Sequence, residues 1–166
     1  MDAFMHLAVN AGLLVYRCHL GETQVLLALP VSSFALKKDA GQWTIPHAPL
    51  AAQDDLYQGA VGAFRHATAS SPVLCNTTPL GWICDPWDEI FYAWSCRTDC
   101  NVVPPHPVTR LQLEAERRQN FPAFAALTFF SLDTAAQKIQ RAQRPFLSRL
   151  RQELNKQGSL FCAAIC

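Results

Sequence analysis

A chain of 166 residues with 50% hydrophobic content is long enough for one domain to bury a sizeable core. Charged residues make up only 16%, against roughly 25% in ordinary soluble domains, so much of the surface is neutral and a homo-oligomer is compatible with the composition. The formal net charge of +1 gives no basic footprint for nucleic acid or an acidic membrane, and the basic residues after position 138 alternate with apolar ones at helical spacing.

Seven cysteines, Cys18, Cys75, Cys84, Cys96, Cys100, Cys162 and Cys166, form an odd set with no CxxC pair. There is no signal-peptide pattern and no apolar run long enough to span a bilayer. The expectation is a cytoplasmic protein with reduced thiols, most of them small core residues. Cys162 and Cys166 have the spacing of one helical turn but no histidine beside them, so no zinc site is expected there.

In chain order, residues 6–19 are apolar and β-rich, with Gly12 suited to a bulge, and a turn at Gly21-Glu22 leads into a second strand over 23–29. Residues 30–41 read as a loop carrying Phe34 and Lys37-Lys38-Asp39, and 42–45 as a short strand stopped by Pro46. A helix follows, with Asp54 as its N-cap and Asp55 behind it. Leu56, Tyr57, Ala60, Val61, Phe64 and Ala67 recur at the spacing of a buried helical face, and Ser70-Ser71-Pro72 ends the helix. Residues 78–84 and 89–97 read as strands joined at Asp85-Pro86-Trp87-Asp88. The prolines of 101–107 demand a loop, 109–118 reads as extended, and 127–132 as another strand. Asp133 caps a short helix through Gln140, and Pro145 opens a final helix burying Phe146, Leu147, Leu150 and Leu154. There are no repeats, no second core and no linker.

Four separated segments carry a family resemblance: Ala11-Gly12-Leu13-Leu14-Val15-Tyr16-Arg17, the run from Lys38 to Pro46, Arg118-Gln119-Asn120-Phe121-Pro122-Ala123, and Pro145-Phe146-Leu147-Ser148-Arg149-Leu150. With them, the chain resembles the Nudix hydrolases, and within these a bacterial group of predicted NTP pyrophosphohydrolases. The resemblance spans roughly residues 8–150. It implies a mixed-sheet α/β/α sandwich, one Nudix-like domain over 1–157, and a C-terminal tail at 158–166. The family's box, GX5EX7REUXEEXGU with U a bulky apolar residue, falls without a gap on residues 48–70. Its first glycine becomes Ala48 and its isolated glutamate Asp54. The run REUXEEXGU becomes Gly62, Ala63, Phe64, Arg65, His66, Ala67, Thr68, Ala69 and Ser70. Only Phe64 and, loosely, Asp54 keep their chemical type.

The family hydrolyses diphosphate linkages of nucleoside diphosphate derivatives, using Mg²⁺ or Mn²⁺ held by glutamates on one face of the box helix. A hard cation binds through carboxylates and water. The corresponding positions here, Ala63, His66 and Ala67, hold no carboxylate, and a neutral imidazole is a poor magnesium ligand. The family's lysine, glycine and glutamate after the proline are His47, Ala48 and Pro49, and the last acid of its FPE-like segment is Ala123. No catalytic residue, metal or cofactor is therefore expected. The first reading is an inactive homologue that binds a nucleotide-like or phosphorylated small molecule. Candidate ligand-binding residues are the cations Lys37, Lys38, Arg65, His66 and Arg118, the aromatic Trp43 and Trp87, and His47. Each has a plainer role: Trp43 as core, Lys37 and Lys38 as a solvated loop, Arg65 and His66 as the outer side of a helix. Two alternatives stand beside it. One is a divergent hydrolase with Mg²⁺ or Mn²⁺ on relocated carboxylates, Glu114 and Glu116, which share one face of an extended segment. The other is a non-catalytic protein-interaction module.

Overall fold

The computed structural model describes residues 7–51, 53–68, 74–99 and 124–158. In chain order the elements are β1 (Val9–His19), β2 (Glu22–Pro30), α1 (Val31–Ala35), β3 (His47–Leu50), α2 (Leu56–Thr68), β4 (Cys75–Cys84), β5 (Ile90–Arg97), β6 (Phe124–Ser131), α3 (Leu132–Lys138) and α4 (Arg144–Lys156). A 3₁₀ turn, Arg141–Gln143, joins the last two helices. One six-stranded sheet runs β4-β5-β1-β2-β6, with β3 paired to β1 beside β2. The β1–β5 pair is parallel and the others are antiparallel.

Alternation along β1 shows why this strand is apolar on both sides. Leu14 and Tyr16 face a core built with Leu80, Ile83, Phe91, Phe146 and Leu150, whereas Ala11, Leu13 and Val15 face another built with Ala60, Phe64 and Ala67. A central strand covered on both faces needs no polar alternate. The sheet thus carries an apolar layer on each face. Helix α2 covers one face and α4 the other, giving the expected α/β/α sandwich. No helix among the described residues is long and apolar enough to cross a membrane.

Several local expectations are corrected. Gly12 is not a bulge: it sits in unbroken register opposite both His47 and Ala93. A Cβ there would stand 2.6 Å from the Pro46 carbonyl oxygen, so the glycine permits a close backbone approach. The loop after β2 contains α1. The short strand lies after Pro46 rather than before it, because Trp43 and Thr44 make only isolated bridges, to Ile139 and Ala28. Asp55, not Asp54, caps α2, its Oδ1 accepting from the Gln58 N–H at 2.8 Å. The Asp54 carboxylate instead accepts from the Ala51 N–H at 2.9 Å. Ser131, not Asp133, caps α3, accepting from the Thr134 N–H at 3.2 Å. In both helices the residue just before the first turn takes the third amide, as an N-cap does. Of the four cysteines described as free thiols, only Cys96 is core, while Cys75 and Cys84 are exposed and Cys18 is half-buried. Cys100, Cys162, Cys166, the helix end at Ser70-Ser71-Pro72, the loop at 101–107 and the extended segment at 109–118 lie outside the described residues.

Candidate functional site

One edge of β1 is shared by two partners. β3 takes Val9 to Gly12 and β2 takes Tyr16 to His19, so the edge forks between them. The segment Trp43-Thr44-Ile45-Pro46 fills that fork. Ala28 and Thr44 exchange backbone hydrogen bonds at 2.8 Å, and the Leu13 N–H donates to the Pro46 carbonyl at 3.3 Å. The next residue, His47, is therefore fixed at the start of β3, opposite Gly12.

Beneath the fork lies a polar node that the sequence does not disclose. Thr44 is wholly buried and Gln143 nearly so. The Gln143 side chain accepts from the Ile45 N–H at 2.9 Å and donates to the Thr44 hydroxyl at 2.7 Å. Leaving a buried donor or acceptor unmet costs about 1–3 kcal/mol, so this one glutamine from the 3₁₀ turn holds the loop in place. A second clamp lies at the loop's other end. Asp39 accepts from the Trp43 indole N–H at 2.6 Å and pairs with Lys138. These two hydrogen-bonding partners, Lys138 first, hold the Asp39 carboxyl below its ordinary value. Both clamps depend on residues about a hundred positions away, and no local pattern announces them.

His47 Nδ1 stands 2.7 Å from the Ile45 carbonyl oxygen. A carbonyl only accepts, so Nδ1 carries the proton and Nε2 keeps its lone pair. The ring lies between Phe91 and Phe124, with centroids 4.9 and 6.3 Å away. Burial pushes the imidazole below the ordinary histidine range, against a smaller upward pull from its bond to Ile45. The neutral form is the one the fold favours. With the folded pKa below the unfolded value of about 6.5, this group's contribution to stability is whole above that value and is lost as pH falls through the folded pKa. The urea midpoint is expected to fall between about pH 7 and about pH 5, and His47→Gln should flatten that stretch. Asp39 acts only in a lower window, below its ordinary 3.8. A slope unchanged in His47→Gln would assign the loss to another group.

The box positions are distributed over β3 and α2. Ala48 pairs with Ala11 and is buried. Ala63 and Ala67 are 2% and 7% exposed on the inner side of α2, on either side of the fully buried Phe64. Gly62 is half-buried with open space where a Cβ would stand, and Asp54, Arg65 and His66 are exposed. Among the described residues no three His, Cys, Asp or Glu side chains gather as a metal site. The methyl groups of Ala63 and Ala67 and the imidazole of His66 do not fit the hard divalent ion that the family resemblance implies. Lys37 and Lys38 are exposed beyond α1, and Trp87 is 83% exposed at the β4–β5 turn. Trp43 is core, its ring edge-on to Phe130 at 4.9 Å, so its faces are not a stacking surface. Among the described residues no hydrogen bond, ion pair or ring contact joins Lys37, Lys38, Arg65 or Trp87 to one another. Arg118, Ala69, Ala123, Glu114 and Glu116 lie outside the described residues.

No protein-family profile and no curated protein sequence matches this chain. Solved structures do. The Nudix domain of Shewanella oneidensis NrtR, complexed with ADP ribose, superposes with a TM-score of 0.61 at 13% identity, covering 93% of this chain and 94% of its own. A binary complex of the C. elegans Ap4A hydrolase gives 0.60 at 15% identity, covering 89% and 98%. A mutT/nudix family protein from Listeria innocua gives 0.60 at 16% identity, covering 92% and 97%. Identities this low speak to architecture alone, and on that ground, with the three-layer sandwich, the mixed sheet and the forked β1 edge before the box helix, the protein has the Nudix hydrolase fold.

Proposed function

We propose that this chain is a Nudix-fold protein without pyrophosphohydrolase turnover, which binds a nucleotide-like or phosphorylated ligand beside β3 and α2. The observation that carries this reading is the inner side of α2, where alanine methyl groups occupy positions at which the family resemblance calls for carboxylates. A site that cannot gather negative charge cannot hold Mg²⁺ or use it to position an attacking water. Binding needs less. An anionic ligand is served by exposed cations, of which Arg65, His66, Lys37 and Lys38 are candidates, and the His47 Nε2 lone pair accepts a hydrogen bond from a base or sugar. The NrtR Nudix domain, solved with ADP ribose, supports a Nudix fold as a scaffold that holds such molecules.

Calorimetry with nucleotides and sugar nucleotides, without divalent metal, is expected to give a saturable signal for at least one of them. Arg65→Ala should weaken it about 2- to 5-fold, the size of a single exposed charge contact. Phosphate release with Mg²⁺ or Mn²⁺ should stay at the no-protein level. Flat titrations throughout would remove the binding reading. Metal-dependent release that vanishes on replacing Glu114 and Glu116 by alanine would make the protein a divergent hydrolase instead.

A further inference from the structure

Among the described residues, strand β4 is an edge of the sheet and pairs with β5 alone. The direction of its backbone groups follows from the parallel pair next to it. The Ile90 N–H donates to the Ala8 carbonyl and the Thr98 N–H to the Tyr16 carbonyl, both at 2.9 Å, so the even positions of β5 turn toward β1. The odd positions Phe91, Ala93 and Ser95 turn toward β4, where their partners are Ile83, Gly81 and Thr78. Trp82 and Cys84, opposite Tyr92 and Ile90, therefore aim their backbone N–H and C=O groups out of the sheet. Such groups are a template for another strand, and exposed edges ordinarily carry charges, prolines or bulges that discourage it.

β4 has a proline and two register irregularities but no charged side chain. Pro79 offers no N–H, and the register shifts between Pro79 and Gly81, where Gly81 has φ +78°. The charge comes from elsewhere. Arg149, the arginine of the Pro145–Leu150 segment, reaches from α4 and donates through one nitrogen, Nη1, to the Leu80 carbonyl at 2.9 Å and the Trp82 carbonyl at 3.0 Å. Its guanidinium centre lies 5.5 Å from the Phe146 ring, over which the side chain passes.

We propose that Arg149 is an edge guard, a helix-borne cation that takes the outward carbonyls of β4 and so keeps this strand from pairing antiparallel with β4 of a second copy. The occupant it excludes follows from the edge itself. Trp82 and Cys84 both point outward two residues apart, so about a two-fold axis at Ile83 each meets the other on the opposing copy and both can exchange N–H···O bonds. No like charges on the strand would oppose that contact. The exposed Trp82, at 55%, would gain cover from the incoming strand.

Light scattering coupled to gel filtration tests this on the full chain. Arg149→Met keeps an apolar stem over Phe146 and removes the donors. It is expected to double the apparent mass over the wild type as concentration rises, and adding Cys84→Pro, which deletes an outward N–H and no bond to β5, should restore the wild-type mass. Circular dichroism and a thermal melt check folding, with Arg149→Leu, which also lacks a donor, as the second variant should Arg149→Met fail to fold. The idea is overturned if both folded variants keep the wild-type mass, if the doubled mass survives Cys84→Pro, or if the wild type is itself a dimer that Cys84→Pro dissociates.

Discussion

Phe64→Ala is expected to cost about 3–5 kcal/mol, the largest loss from any single truncation on α2. Phe64 is wholly buried where the helix meets β1, with Leu13, Val15, Cys96 and Leu127 in the same cluster. Removing the ring deletes its transfer free energy and leaves a cavity that the sheet, fixed on both faces, collapses into only in part. For a chain of this length that corresponds to a melting temperature lower by roughly 6–20 °C. Arg65→Ala, next to it but exposed, should stay within about 0.5 kcal/mol. Urea unfolding of the two variants makes the comparison, and a loss below about 1 kcal/mol for Phe64→Ala would mean that α2 is not docked as described.

Gly12→Ala is expected to destabilise by about 3 kcal/mol, the upper end for overpacking. The added methyl would meet the Pro46 carbonyl oxygen at 2.6 Å, the His47 Cβ at 3.0 Å and the Ile45 Cγ2 at 3.1 Å. The first of these is backbone, held by its own hydrogen bond from Leu13, so it cannot swing aside as the end of a flexible side chain would. Relief requires β3 to move away from β1, taking His47 with it. The same chemical change at Gly62 should do the opposite. There the methyl meets nothing, and exchanging glycine for alanine inside a helix gains about 0.5–1 kcal/mol. Thermal melts of the two variants should therefore shift in opposite directions. Equal destabilisation by both would contradict the close approach of β1 to the loop before β3.

These predictions also show what kind of information each level holds. The helical spacing of Ala60, Val61, Phe64 and Ala67 names the buried face of α2 without any structure, because period and burial are linked within one turn. The β1–β2 hairpin, the β4–β5 hairpin and the final helix opening at Pro145 were legible for the same reason: their signals are local. So were the residue types at 63, 66 and 67, none of which carries a carboxylate. Burial could be misjudged even so, as the exposed Cys75 and Cys84 show, because a small side chain carries little directional signal of its own.

What the sequence by itself determined is most of the strands and helices, though not α1 or the place of β3, their sandwich arrangement by resemblance, and the absence of a carboxylate at positions 63, 66 and 67. The tertiary structure alone decided that Gln143 secures the loop before β3, that Asp39 is clamped between Trp43 and Lys138, that Trp43 belongs to the core, and that Arg149 donates to the Leu80 and Trp82 carbonyls of the uncharged β4. Each of these joins groups distant along the chain. Periodicity and turn chemistry report on neighbours a few residues apart, whereas a hydrogen bond across about a hundred residues exists only once the sheet has brought its ends together.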